Sequence, residues 1–325
     1  MTDHPQRTDR RALVKAALGA AGTSALSACT RKNDPAGSTT SSPTSSDRPG
    51  TPGGPTTPSP STLATPRAWR PDENEVEPGC KVTAVRQVSA ALTVDGTSRK
   101  SLPRALRPLA EHVEGAEQAV VEVIYPQYGG LSANRSKASV MVVLDLTSIA
   151  EGSATTSRTS MTLDVRLRKQ DSWQVTEVLI PKARQEVTPT PDGVQQLMRN
   201  PRVELPREAR LDLMSGQIDP KLVKVMTELA KNWRLGVHVL RSGHPKNVFD
   251  TDRLSNHSRG KAVDIWALDR IPVIQQDRAP WREAMEAAVD HGADEVGGPR
   301  ELGGPTSPYF TDQVHQDHLH VAIEN

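Results

Sequence analysis

The sequence predicts an α+β fold with two domains that follow a long polar tail. Segments with the apolar spacing of helices are mixed with segments in which apolar and polar residues alternate, as in half-buried strands. Only 35% of the 325 residues are hydrophobic, but the deficit is concentrated before residue 67. Without the first 66 of the 325 residues, 259 remain, enough for two domains of about 100–150 residues each.

The charge balance argues against a nucleic-acid partner. The chain has 40 Lys and Arg residues against 39 Asp and Glu residues, a formal net charge of +1. Domains that bind nucleic acid usually carry a clustered basic excess. We therefore look for other partners and for enzyme chemistry.

Residues 1–29 have the order of an export signal: paired arginines, a short apolar segment and small residues before a cleavage site. Arg10 and Arg11 resemble the twin-arginine type of signal, and Leu26-Ser27-Ala28-Cys29 resembles a bacterial lipobox. The resemblance implies lipidation of Cys29 and an extracytoplasmic protein anchored to the cell membrane by its lipid. The alternative is an amphipathic N-terminal helix.

Residues 30–66 predict a disordered tether. From Asp34 to Pro66, 27 of 33 positions are Ser, Thr, Pro or Gly, and such a segment cannot bury enough apolar surface to offset its ordering entropy. As a coil it spans roughly 30 Å, and about 100 Å when fully extended. It would hold the following domains away from a membrane surface.

Residues 67–185 predict a smaller α+β domain. Four apolar residues have helical spacing: Leu102, Leu106, Leu109 and Val113. Segments with strand character follow, at residues 121–125, 139–146, 161–168 and 173–175. This order is similar to cystatin-like and nuclear-transport-factor-like folds. We predict no catalytic residue here, and Cys80 is expected to be a buried thiol without a disulfide partner.

Residues 186–325 predict a second α+β domain with a small antiparallel or mixed sheet. Pro189 and Pro191 lie in the boundary between the domains. Asp219-Pro220 is a helix N-cap followed by proline at the first helical position. A further helix is predicted at residues 280–291, and strands at residues 237–239, 262–266, 296 and 319–323.

Histidines are concentrated in this second domain. Seven of the nine are at or after position 238: His238, His244, His257, His291, His315, His318 and His320. Because the chain has only two cysteines, a metal site here would use histidine and carboxylate ligands. We interpret four of the seven as ordinary core or surface residues: His238, His244, His291 and His315.

Two clusters combine histidine with aspartate. In residues 255–265, Asp264 lies on a predicted strand seven residues after His257. In residues 317–323, His318 and His320 share one face of a predicted terminal strand. Three protein ligands, with a fourth position left to water, are the arrangement of a catalytic zinc site. The alternatives are a hydrogen-bonded polar cluster without metal and a metal site that is structural or binds ligand without turnover.

The first cluster resembles the Ser-x-His-x-x-Gly-x-Ala-x-Asp signature of the D-alanyl-D-alanine dipeptidase and carboxypeptidase family of zinc peptidases. The matching positions are Ser255, His257, Gly260, Ala262 and Asp264. His318-Leu319-His320 is similar to the His-x-His of the related peptidoglycan amidases and endopeptidases, which share a fold with the hedgehog signalling domain. The resemblance covers about residues 201–325 and implies a hedgehog/DD-peptidase-like domain.

The resemblance also implies roles for individual residues. His257, Asp264 and His320 would hold Zn²⁺. Ser255 and Arg241 would bind substrate, and Arg241 would also assist the developing oxyanion.

The general base is where the sequence departs from the family. The dipeptidase branch has a glutamate three residues before the last metal-binding histidine, and Asp317 stands there in this chain. Strict alternation would turn Asp317 away from His318 and His320, unless the strand begins after it. In the His-x-His branch the first histidine lies near the metal, and His318 takes that place. We therefore expect His318 in the site, with Asp317 as the candidate for the base.

These expectations add up to a lipid-anchored, extracytoplasmic zinc peptidase that hydrolyses stem or cross-link peptides of peptidoglycan. The main alternative is a non-catalytic, metal-bound module that recognises cell-wall peptide or a protein partner. A weaker one is a zinc-scavenging lipoprotein.

Overall fold

Two β-sheets, each with its own hydrophobic core, are described by the computed structural model, which covers residues 62–96, 101–182, 185–304 and 306–324. The predicted export signal with Cys29, and the tether as far as residue 61, lie outside the described residues. The α+β class predicted from the sequence is confirmed. The described residues belong to one unit.

The N-terminal layer, residues 62–182, is an antiparallel sheet packed against helices. Its elements are α1 (Pro78–Leu92), β1 (Val94–Asp95), a 3₁₀ helix (Arg104–Val113), β2 (Ala116–Leu131), β3 (Lys137–Ala150), β4 (Thr156–Lys169) and β5 (Trp173–Leu179). Neighbouring strands in the sheet are also neighbours in sequence, in the order β1 to β5. Helix α1 and the 3₁₀ helix pack against the apolar faces of β2 to β4, and these faces form most of the core.

The helix predicted around Leu106 is present, but it is a 3₁₀ helix with Pro108 inside it. Proline lacks the N–H that a regular α-helix would use there. Helix α1 was not predicted from the sequence, although Cys80, Ala84 and Val88 have helical spacing and are buried, with proline at the first helical position. Cys80 is a buried free thiol, as expected.

The C-terminal layer, residues 185–324, is a mixed sheet with short strands and helices. Its elements are α2 (Asp192–Arg199), β6 (Val203–Glu204), α3 (Arg207–Met214), α4 (Pro220–Leu229), β7 (Leu235–Val239), a 3₁₀ turn (His257–Arg259), β8 (Ala262–Leu268), β9 (Ile271–Pro272), α5 (Trp281–Asp290), β10 (Glu295–Gly297), β11 (Tyr309–Phe310) and β12 (Leu319–Ala322). The strand order is β11-β10-β12-β8-β7-β6, and β9 pairs with β8. The β6–β7 and β10–β11 pairs are parallel, whereas β12 pairs antiparallel with β8 and with β10.

The helix predicted after Asp219 is α4, and the carboxylate of Asp219 accepts a hydrogen bond from the N–H of Lys221 as a cap. The helix predicted at residues 280–291 is α5. Two short helices, α2 and α3, were not identified from the sequence. In the part of the chain that the structure describes, no helix is long and apolar enough to cross a membrane.

The two layers pack against each other through β2. The Tyr125 ring stacks on the Trp266 ring of β8, with centroids 4.7 Å apart. The buried Nε2–H of His238 donates to the Tyr125 carbonyl at 3.1 Å. This contact places the C-terminal end of β2 beside the strands that carry the predicted metal ligands.

Candidate metal centre

The pairing of β8 with β12 positions two of the predicted ligands. Asp264 and His320 are direct cross-strand partners in this antiparallel pair, so their side chains project from the same face of the sheet. The third, His257, lies on the 3₁₀ turn before β8. That turn ends at Gly260, whose positive φ of 71° and close approach to the Gln217 carbonyl both exclude a side chain.

The three predicted ligands converge on one point. His257 Nε2, Asp264 Oδ1 and His320 Nδ1 form a triangle in which each pair of atoms is 3.1 Å apart. Tetrahedral zinc with bonds of about 2.0–2.1 Å would separate its ligand atoms by about 3.3 Å. The residues are 0%, 1% and 8% exposed, respectively, so water cannot solvate these atoms fully. The donor set and its spacing fit Zn²⁺.

In His257 and His320, the contact of the ring nitrogen that points away from the triangle determines which nitrogen is free to bind metal. His257 Nδ1 is 2.6 Å from the Leu240 carbonyl oxygen, which can only accept, so Nδ1 carries the proton. His320 Nε2 faces the Glu295 carboxylate at 3.5 Å. When both rings are neutral and carry their protons on these nitrogens, the nitrogens that face Asp264 Oδ1 present lone pairs to it. Three converging lone pairs repel one another unless a cation or a proton lies between them.

The electrostatics of the cluster favour positive charge. Burial alone would raise the pKa of Asp264, but the histidines around it outweigh burial and lower that pKa well below its usual value. Burial opposes the charged form of His320, yet its hydrogen bonds to Asp264 and Glu295 raise its pKa to about 9. The hydrogen bond from His320 is also the largest cause of the lowered pKa of Glu295.

His244 lies next to the triangle. Its ring stacks on that of His257, with centroids 3.9 Å apart. His244, His257 and Asp264 each offer one ligand atom within 4.8 Å of the others. Burial lowers the pKa of His244 well below its usual value, so it is held as the neutral imidazole that metals bind. We take the set with His320 as the primary one because its atoms are closer together, and His244 as a residue that lies beside the three predicted ligands.

Asp317 lies in the site, but its contacts do not fit the expected role of general base. The strand β12 begins at Leu319, so the alternation rule does not apply to Asp317. Its Oδ2 accepts from Lys81 Nζ at 2.6 Å and from the Tyr128 N–H at 3.1 Å, and its Oδ1 is 2.6 Å from His318 Nδ1. Burial alone would raise the pKa of Asp317, but Lys81 and His318 lower it. A fully buried carboxylate with both oxygens engaged and a lowered pKa is a poor proton acceptor.

His318 lies next to the predicted ligands. Because Asp317 can only accept, the short contact puts the His318 proton on Nδ1 and leaves Nε2 as an acceptor. His318 Nε2 is 3.8 Å from Asp264 Oδ2. The Asp317–His318 pair thus directs an acceptor nitrogen towards the predicted metal ligands.

A cavity of about 480 Å³ opens over the triangle. One wall is the end of β2, residues 128–131, and the other walls include Phe249, Arg253 and Phe310. A side chain at Gly130 would overlap the Phe249 ring, so glycine allows the two layers to approach closely at this wall. The cavity has the size of a site for a small organic ligand or part of a peptide.

The other predicted site residues are divided. Ser255 lines the cavity, and its Oγ accepts from the His257 N–H at 3.2 Å. Arg241 does not line it, and its guanidinium donates instead to the side chain of Gln217. Arg253, which no motif in the sequence marks, is exposed and lines the cavity.

Several residues of the site were missed from the sequence. They are His244 and His315, for which the sequence predicts ordinary core or surface positions, together with Glu295, Lys81 and Gln127. His244 follows a predicted strand end, a place where ligands are common, and this signal was available. Nothing in the local sequence marks Lys81 or Gln127, because each reaches the site from the other layer.

Comparisons with known proteins add little. No protein-family model matches the chain, and no curated protein matches it. One solved structure, the intermembrane-space region of the chloroplast protein ARC6, matches with 16% identity over 31% of this chain and 95% of that structure. Its TM-score of 0.21 is too low to carry an argument about fold or function.

Proposed function

We propose that this protein is a zinc peptidase acting on peptidoglycan stem or cross-link peptides. The observation that carries the proposal is the triangle of His257 Nε2, Asp264 Oδ1 and His320 Nδ1, with sides of 3.1 Å, at the floor of a cavity. We assign the C-terminal layer to the hedgehog/DD-peptidase-like fold on the motif that supplies these ligands. The N-terminal layer is assigned to the cystatin-like or nuclear-transport-factor-like group on its helix and antiparallel meander.

The bound metal would supply a water of lowered pKa, near ~7, and polarise the peptide carbonyl. The Nδ1–H of His318 is held by Asp317, so Nε2 is the nitrogen that can accept a proton. Through Nε2, His318 would take the proton of the attacking water and return it to the leaving amine. Asp317 is thereby an orienting residue and not the base. This division of roles replaces the expectation from the sequence, in which Asp317 takes the proton.

Arg253 replaces Arg241 as the candidate for substrate recognition. It is a cation at the cavity wall, and its charge is among the causes of the lowered pKa of Glu295. A cation in that position suits a substrate carboxylate, such as the free end of a stem peptide. Ser255 forms part of the floor beside His257.

The proposal includes location. The lipobox-like Cys29 and the twin-arginine-like signal favour an extracytoplasmic protein held at the cell membrane by lipid, where peptidoglycan is within reach of a tethered domain.

The experiment is direct. Purified full-length protein in detergent, loaded with one equivalent of zinc, is incubated with a muropeptide digest, and the products are identified by mass spectrometry. We expect loss of a terminal residue or cleavage of a cross-link, abolished by a chelator and restored by zinc. Absence of stoichiometric zinc after loading would refute the proposal.

The second candidate is a metal-bound module that recognises cell-wall peptide without cleaving it. The observation in its favour is the complete engagement of Asp317, which leaves the site without the carboxylate base of the dipeptidase branch. Stoichiometric zinc, muropeptide binding and no product would establish this alternative.

A further inference from the structure

We propose that the N-terminal layer completes the metal centre, with Gln127 holding the ligand Asp264 and Lys81 holding the pair of Asp317 and His318. The inference rests on the proposed function and deepens it. It assigns to the first layer the task of positioning groups in the site of the second, through two side chains that would otherwise be structural.

Gln127 acts on the metal ligand directly. Its Nε2 donates to Asp264 Oδ2 at 2.7 Å, and the residue is fully buried on β2. The bond occupies one carboxylate oxygen and leaves Oδ1 to face the two histidine nitrogens. An Asp ligand fixed in this way offers one oxygen in one orientation, as hydrogen-bonded partners of metal ligands generally ensure.

The other end of the Gln127 amide supports this assignment. Its Oε1 is buried and has no hydrogen-bond partner among the described residues. An unsatisfied buried acceptor costs free energy, so the amide is not oriented by a contact at its oxygen. The bond to Asp264 is the contact that accounts for its direction.

Lys81 acts one step further from the metal. It is fully buried on α1, and its Nζ lies 2.6 Å from Asp317 Oδ2 and 2.6 Å from Glu75 Oε2. The ammonium also lies 4.1 Å from the centroid of the Tyr128 ring. These contacts fix one oxygen of Asp317, and the other oxygen receives the Nδ1–H of His318.

Three hydrogen bonds from the N-terminal layer end on these site residues: Gln127 on Asp264, Lys81 on Asp317 and the Tyr128 N–H on Asp317. A buried ion pair is expensive to desolvate and adds little stability compared with apolar packing. The Lys81–Asp317 pair contacts His318 through Asp317. The pair is therefore better explained as a support that orients this imidazole than as a contact that stabilises the packing of the two layers.

The first test measures metal binding by the full chain with Gln127→Met, which keeps the length of the side chain and removes the donor. We expect zinc affinity to fall about 10–100-fold, the usual cost of losing an outer hydrogen-bond partner of a ligand. The visible spectrum of the cobalt-substituted protein should also change, because it reports ligand geometry. The control is Gln174→Met, an exposed glutamine on β5, which should alter neither.

The second test separates orientation from general stability. Lys81→Met should lower kcat at least about 10-fold with a KM within about 2-fold, as expected for loss of a group that acts on proton transfer. Lys81→Arg, which keeps the charge, should retain more activity than Lys81→Met. Arg86→Met, an exposed residue on the same helix, is the control.

The decisive comparison is a double-mutant cycle. If Lys81 acts through His318, then Lys81→Met should cost little further activity in a His318→Ala background. Multiplicative losses, together with unchanged zinc affinity and an unchanged cobalt spectrum in Gln127→Met, would overturn the inference. Should Lys81→Met fail to fold, the Gln127→Met result decides alone.

These outcomes are separable from failure of the proposed function. Wild-type protein that binds no zinc would overturn both. Wild-type protein that binds zinc without cleaving peptide would remove the peptidase proposal and the Lys81 arm, while the effect of Gln127 on zinc affinity would still support or refute its role in the centre.

Discussion

The two layers contribute to the site in opposite ways. The C-terminal layer supplies the atoms that converge, on short strands such as β12, which has four residues, and on the turn that begins at His257. The N-terminal layer has strands of 14 to 16 residues in β2, β3 and β4, yet contributes no atom to the triangle. This layer contributes the hydrogen bonds that Asp264 and Asp317 accept.

This difference indicates that the C-terminal layer supplies the converging atoms and that the N-terminal layer holds the side chains that carry them. A ligand on a short strand is positioned by its immediate neighbours, and those neighbours must themselves be held. A long antiparallel sheet with a large apolar core is stiff because many paired hydrogen bonds and packed side chains fix it. Support from β2 and α1 would hold Asp264 and Asp317 in place without relying on the short strands alone.

The largest effect should come from the converging residues themselves. Replacement of Asp264 or His257 by alanine should reduce zinc affinity by more than about 100-fold and peptide cleavage to background, because a three-ligand site loses a ligand. Zinc content after dialysis and the rate of muropeptide cleavage measure both. His291→Ala, a half-buried histidine after α5 that does not line the cavity, is the control.

Metal removal should also lower the stability of the wild type. A ligand that binds only the folded state at 100 times its Kd adds about 2.7 kcal/mol, so a chelator should lower the melting temperature, and it should have little effect on Asp264→Ala. Equal chelator effects on the two proteins would show that the triangle is not the metal site.

The next effect concerns the groups at the boundary of the layers. His318→Ala should lower kcat by about 10²–10⁴-fold, the usual contribution of a positioned acid or base, with zinc content retained. Asp317→Asn should lower kcat less, because His318 remains. If Asp317→Asn proved as damaging as His318→Ala while zinc affinity and folding were unchanged, Asp317 itself would be the base and the orienting role would be wrong.

The same contrast explains what could be predicted from the sequence. His257, Asp264 and His320 were identified because their spacing matches a motif, and the structure brings them together. The strands of the N-terminal layer were predicted from apolar and polar alternation, as at residues 161–168, or from an apolar run, as at residues 139–146. Both patterns involve residues that are close in the sequence, so they can be recognised without knowledge of the fold.

Contacts between distant residues could not be predicted in this way. Lys81 and Asp317 are 236 positions apart, and Gln127 and Asp264 are 137 apart. A lysine on an amphipathic helix is ordinarily solvated, and only the packing of β2 and α1 against the other sheet buries this one. The contacts of Asp317 could not be predicted for the same reason, since Lys81 lies in the other layer.

A smaller effect tests recognition at the cavity wall. Arg253→Met should raise KM about 10-fold for peptides with a free C-terminal carboxylate, because one charge-assisted contact is worth about 1.5–3 kcal/mol at most and is weakened by exposure. Peptides with an amidated C terminus should be nearly unaffected. Arg300→Met, an exposed arginine that does not line the cavity, is the control, and an equal KM change for both peptides would exclude Arg253 as the carboxylate site.

The smallest effect lies in the packing between the layers. Burial is the largest cause that lowers the pKa of His238 to about 4, against 6.5 for an ordinary histidine, while its Nε2–H donates to the Tyr125 carbonyl. Because the folded pKa is below the unfolded one, the stability contribution is present above pH ~6.5 and is lost as the pH falls towards ~4. At pH ~5.5 the loss should be on the order of 1 kcal/mol.

His238→Gln keeps a donor for Tyr125 without titrating, so its denaturant unfolding free energy should fall less than that of the wild type between pH 7 and pH 5. Identical slopes for the two proteins would mean that His238 is not held neutral by this interface, and that β2 is a looser support for the metal centre than its contacts indicate.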